Sequence, residues 1–113
     1  MPKTTDNYNT DDVEQVRGRK KRHELESEQR REEFRVLLQS RAGRAVIWRI
    51  LEEAGIYRQS FTGDAEHTFF NEGRRKVGLE IISWFNDLAE EGEKQFALMT
   101  SEMKSREKRI NNG

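Results

Sequence analysis

A chain of 113 residues, 33% hydrophobic and 37% charged, has room for one small domain and excludes a large enzymatic core. Lys and Arg together number 21, as do Asp and Glu, so the zero net charge gives no whole-molecule steering toward DNA, an anionic membrane or an acidic substrate. Any electrostatic role must be local. The absence of cysteine removes disulfide frameworks, thiolate nucleophiles and Cys-ligated zinc. No signal-peptide pattern opens the chain, and the longest apolar run, Ala45 to Trp48, falls far short of the ~20 residues of a membrane span. The expectation is a soluble intracellular all-α protein, a small helical domain flanked by long charged helices.

Residues 1–10 (MPKTTDNYNT) are polar, with only Met1 and Tyr8 to bury, and cannot offset an ordering entropy of roughly 1–2 kcal/mol per residue. They read as a disordered tail. Residues 11–33 read as a charged helical arm: helix formers abound, but Val13, Val16 and Leu25 are the only apolar contacts. Pairing of Glu28 and Glu32 with Arg30 and Arg31, at about 0.2–0.5 kcal/mol per pair, leaves such a helix frayed until a partner covers it. Gly18 weakens it by about 1 kcal/mol relative to Ala.

A compact helical core is expected over 34–91, which holds eight of the ten aromatic residues. Phe34, Leu37 and Leu38 share one helical face. Ser40 is placed to cap the next helix, whose stripe is Val46, Ile47, Ile50, Leu51 and Ala54, with Arg44, Arg49, Glu52 and Glu53 on the other side and Gly55 as its stop. Ile56, Tyr57 and Phe61 are expected to pin the following loop. Asp64 is a second N-cap, opening a stretch in which Phe69, Phe70, Val77, Ile81, Trp84, Phe85 and Leu88 recur at helical spacing. Gly73 and Gly78 interrupt it, so either the helix breaks near Asn71–Gly73 or the glycines admit a neighbouring backbone; a break is expected, with the strong helix running from Arg74 to about Glu91. Residues 92–113 form a C-terminal amphipathic helix with a thin seam of Phe96, Met99, Met103 and Ile110. That seam is too narrow to fold alone and suits docking on a partner helix, in this chain or in another subunit, which makes Phe96, Met99 and Met103 candidate protein-docking residues.

Two basic clusters are candidates for phosphate or carboxylate contacts. Arg17, Arg19, Lys20, Lys21 and Arg22 put five cations into six residues, although residues 1–33 as a whole hold eight cations and nine anions. Arg74, Arg75 and Lys76 follow Gly73 near a helix start, where the bland alternative is pairing with Asp64, Glu66, Glu72 or Glu80. His23 and His67 have no second nitrogen ligand at metal spacing, and no Gly-x-Ser-x-Gly elbow, Walker motif or dinucleotide glycine pattern is present. No catalytic residue, metal site or cofactor is therefore expected. Trp48, Trp84, Phe69, Phe70 and Phe85 have aliphatic neighbours at helical spacing and read as packed core rather than a ligand pocket.

The central segment reads Gly43-Arg44, Ile47-Trp48-Arg49-Ile50-Leu51, Ala54-Gly55-Ile56-Tyr57, Ser60-Phe61-Thr62-Gly63, then Phe70 and Glu72-Gly73-Arg74-Arg75-Lys76-Val77-Gly78-Leu79. In this order of glycines, aromatics and Gly-Arg-Arg it resembles a family of small tailed-phage proteins of the Bordetella podophage type, over roughly residues 40–85. The resemblance implies a non-enzymatic virion structural or assembly protein that docks through its helical flanks onto head, portal or tail components, located in the virion and, during assembly, in the host cytoplasm. Its expected partners are phage virion proteins, with a homo-oligomer and DNA contact as further options and no membrane. The alternative is a nucleic-acid-binding accessory factor in phage genome packaging or organisation.

Overall fold

A computed structural model describes residues 2–56 and 63–112, with side chains described from Asp11 onward. The protein is all-α. Its helices are α1 (Pro2–Leu37), α2 (Arg41–Ala54), α3 (Ala65–Asp87) and α4 (Ala89–Asn112), and no strand occurs among the described residues. Two units divide the chain, Met1–Glu33 and Phe34–Gly113.

The first unit is helix with no core of its own. Residues 11–33 are exposed apart from the half-buried Ser27, so Val13, Val16 and Leu25 stand in solvent. One i,i+4 pair, Arg30 to Glu26 at 2.7 Å, joins two largely exposed side chains and contributes about 0.3–0.5 kcal/mol. Helix α1 as described begins at Pro2. Once a helix exists, each added residue gains a hydrogen bond without a new nucleation cost, and proline fits the first turn because its missing N–H has no partner there.

In the second unit the chain reverses at caps that the residues dictate. Ser40 is extended, and its hydroxyl accepts from the Gly43 N–H at 2.9 Å, satisfying one of the orphan donors at the start of α2. Gly55 ends that helix in the left-handed region at φ 69°, with its N–H on the Glu52 carbonyl, a conformation costly for any residue with a Cβ. Asp64 opens α3 by accepting from the Glu66 and His67 N–H groups at 2.9 and 3.3 Å. The corner between α3 and α4 is tighter. Ala89 takes φ 53°, and a Cβ at Gly92 would lie 1.8 Å from the Phe85 carbonyl oxygen, so only glycine fits.

The core of this unit is built from Phe34 and Leu38, from Ile47, Leu51 and Ala54 of α2, from Ile56, from Ile81 and Phe85 of α3, and from Met99 of α4. Edge-to-face aromatic contacts run through it, Phe34 to Trp84 at 5.6 Å, Phe34 to Phe85 at 5.0 Å and Phe85 to Phe96 at 5.1 Å. Where α2 crosses α3, a Cβ on Gly78 would fall 2.7 Å from the Ala54 Cβ and 2.5 Å from Ile56 Cγ2. Gly78 is thus the glycine that admits a neighbour.

Three expectations are corrected here, and a fourth, open between a partner in this chain and one in another subunit, takes the first form. First, α3 is unbroken through Asn71–Gly73, because Gly73 faces open space and its cost of about 1 kcal/mol is too small to interrupt a helix held by tertiary packing further along. Second, Phe69 and Phe70 are 76% and 62% exposed and Trp84 45%, whereas Phe85 is buried. Phe70, Val77 and Trp84 lie seven residues apart on one flank of α3, while the α2 and α4 packing is centred on Gly78, Ile81 and Phe85. Third, Arg44 points inward rather than to the polar side of α2. Fourth, the Met99 and Met103 seam is closed within this chain: both side chains are buried, and Phe96 packs against the same core. The seam faces α2 and α3, which buries it as fully as a separate partner would. The expected anchors Tyr57 and Phe61 lie outside the described residues, and Ile56 is buried.

Candidate functional site

The polar focus of the second unit is the Gly43-Arg44 pair on α2. A Cβ at Gly43 would come 2.1 Å from the Leu37 carbonyl oxygen, so glycine lets the first turn of α2 press against the end of α1. That contact sets Arg44 in the interior. Its Nε donates to Glu102 Oε1 of α4 at 2.7 Å, and its Nη1 donates to the Leu38 carbonyl at 2.7 Å. A guanidinium directed at a carboxylate and a carbonyl at once ties the end of α1, α2 and α4 together. Glu102 Oε2 makes no hydrogen bond, but Arg41 Nε stands 3.5 Å away.

Arg41 also borders a shallow groove of about 380 Å³ between α2 and the C-terminal half of α4. Ala42, Ala45 and Met103 form its apolar floor, and Arg41, Arg106 and Arg109 surround it. Arg106 and Arg109 are exposed, and no hydrogen bond or ion pair engages either among the described residues. An adjoining groove of about 460 Å³ shares Ala45, Met103 and Arg106 and adds Arg49, with Glu52 and Glu107 on its border. Sequence reasoning missed this constellation. Arg41 and Arg106 are far apart in the chain, and only the packing of α4 alongside α2 makes them neighbours, so no local spacing signals it.

The basic residues singled out from sequence fall elsewhere. Arg17, Arg19, Lys20, Lys21 and Arg22 lie exposed on α1 in the first unit. Arg74 does not pair with Asp64, Glu66, Glu72 or Glu80. Its Nη2 instead contacts the Glu53 carbonyl and lies 3.4 Å from Glu53 Oε2, so it caps the C-terminal end of α2, where cations are favoured by unsatisfied carbonyls. The same guanidinium stands 5.6 Å from the Phe70 ring centroid. Arg75 is half-buried and Lys76 exposed. Of the candidate docking residues, Met99 and Met103 are inside the core; Phe69, Phe70 and Val77 of α3 are among the large apolar side chains left in solvent, with Trp84 half in, as are Val46 and Ile50 of α2 and Ile110 of α4.

Among the described residues no group of three or more His, Cys, Asp or Glu side chains is arranged to hold a metal, and no helix is long and apolar enough to cross a membrane. His67 Nδ1 lies 3.3 Å from Asp64 Oδ2 at the α3 cap, a pair on the surface. Fold and site together define a small helical module whose distinctive groups are a buried arginine clasp, an exposed aromatic flank and an arginine-bordered groove. The chain belongs to the family of Bbp19-like phage proteins, whose model matches residues 34–101. The matched span takes in the clasp from Arg44 through the corner at Gly92, and stops one residue short of Glu102. No curated protein and no solved structure matches the chain.

Proposed function

We propose that this phage protein is a non-enzymatic structural or assembly component of the virion, docking onto an apolar helical face of a head, portal or tail protein. The observation that carries this reading is the exposed flank of α3, where Phe69, Phe70, Val77 and Trp84 present aromatic and aliphatic surface that the core leaves uncovered. Aromatic side chains of this kind dominate the energetics of protein interfaces, and a helix face with anchors seven residues apart fits a facing helix. The exposed α1 arm, with Val13, Val16 and Leu25 in a charged background, is a second surface suited to the same use. The C-terminal seam drops out of the docking surface because its methionines are already buried.

Mass spectrometry of purified virions tests the reading, combined with cross-linking from residues beside Phe69 and Phe70. Recovery of the protein at a fixed copy number, with cross-links from α3 to a head, portal or tail component, is the expected result. Its absence from particles, or cross-links only between copies of itself, refutes it. A second reading is an accessory factor in genome packaging or organisation that contacts DNA. The convergence of Arg41, Arg106 and Arg109 favours it, because three guanidiniums around one opening make a local positive patch in a chain of zero net charge.

A further inference from the structure

The geometry points to the groove between α2 and α4, bordered by Arg41, Arg106 and Arg109, as a binding site for the phosphodiester backbone of a nucleic acid. This deepens the second reading above and is independent of docking through α3. The first argument is charge. Guanidinium groups held around one opening repel each other, and no carboxylate engages Arg106 or Arg109 among the described residues, while Arg41 has only the Glu102 oxygen at 3.5 Å. Residues 104–109 of the same helix hold four cations against Glu107 alone. An anion at the opening removes that repulsion, and planar guanidinium forks match phosphate oxygens with paired hydrogen bonds.

The second argument is the backbone. The floor of the groove is the first turn of α2, capped at Ser40, and the N–H groups of Arg41 and Ala42 have no intrahelical acceptor. The positive end of the α2 dipole therefore lies beside Arg41, at one end of the groove.

The third argument separates a polyanion from a single carboxylate. One carboxylate neutralises one of three guanidiniums, whereas a nucleic acid strand brings a charge about every 3.4 Å of axis. From Arg41 to Arg49, which borders the adjoining groove, α2 runs about 12 Å, long enough to follow successive phosphates. Arg106 and Arg109 come after residue 101, where the family match ends, so the site is completed by this chain's own C-terminal extension of the shared core.

The test is fluorescence anisotropy of the full chain with a labelled duplex of roughly two helical turns and with a single strand of the same length, between 50 and 200 mM salt. Each phosphate contact adds about 0.9 to the slope of log affinity against log salt for duplex DNA and about 0.7 for a single strand. Replacing Arg41, Arg106 and Arg109 together with Gln is expected to lower the duplex slope by about 2.7, so the roughly 40-fold of salt sensitivity these contacts supply across that range disappears. Arg106→Lys should keep its share of the slope and Arg106→Gln lose it, with circular dichroism unchanged in all variants because these side chains are exposed. No binding by the wild type at 50 mM salt overturns the site. An unchanged slope in the triple variant overturns it too, as does binding to polyglutamate in place of DNA. Loss of DNA binding only when Arg19, Lys20 and Lys21 are replaced by Gln also overturns the site, while leaving the accessory-factor reading standing on the α1 arm.

Discussion

Replacing Arg44 with Met should destabilise the folded protein by about 3 kcal/mol, the low end of the 3–5 kcal/mol typical for breaking a buried pair from one side. The low end applies because Glu102, once stripped of the 2.7 Å contact from Arg44, retains Arg41 at 3.5 Å as a weaker partner. The Leu38 carbonyl loses its donor as well, and a buried acceptor left unmet costs about 1–3 kcal/mol of that total. Methionine keeps most of the aliphatic volume, so the loss is polar rather than a cavity effect. For a domain of this size, 3 kcal/mol corresponds to a fall in Tm of about 12–24 °C. Thermal and urea unfolding followed by circular dichroism measure it. The decisive comparison is the double variant Arg44→Met with Glu102→Leu, which removes the stranded carboxylate and should recover about 1–2 kcal/mol relative to Arg44→Met alone. The reasoning fails if Arg44→Met shifts stability by less than about 1 kcal/mol, or if the double variant is less stable than the single one.

Gly73→Ala should raise stability by about 0.5–1 kcal/mol, since nothing stands within 4 Å of the added methyl group and the position is interior to α3, whereas Gly78→Ala should lower it because Ala54 and Ile56 occupy that space; paired melting curves separate the two. Met99→Ala, at a fully buried side chain, should cost about 2–5 kcal/mol by chemical denaturation, and a cost under about 1 kcal/mol would show that α4 does not pack as described. Phe69→Ser combined with Phe70→Ser should leave the melting temperature nearly unchanged, because both rings are mostly in solvent, while removing the protein from assembled particles.

The elements whose signals are local were legible from sequence. Ser40, Gly55 and Asp64 announce their caps by residue type, and spacing alone gives the α2 stripe, of which Ile47, Leu51 and Ala54 are buried while Val46 and Ile50, on its edge, stay exposed. What sequence does not carry is the choice between surfaces that look alike in one dimension. On α3, Phe70 and Phe85 have equal hydrophobicity, and only the approach of Ala54 at Gly78 decides which flank is covered. Arg44 looks like a surface charge until Glu102, 58 residues later, supplies its counter-charge. Met99 and Met103 do form a seam, and of the two partners its spacing leaves open, this chain or another subunit, the structure supplies the one within this chain, α2 and α3. The arginine groove was invisible for the same reason, because its members are brought together by helix packing and by no motif.

Because Met99 fills the centre of the core and Glu102 locks Arg44, the domain cannot close until α4 has been made at least as far as Glu102. During synthesis, α2 and α3 must wait outside the ribosome with their inner surfaces bare, a period in which they are open to proteases and to one another. A chain cut before Glu102 would therefore lose groups that reach the core of the second unit, the Arg44 partner and the buried Met103, rather than trim its edge.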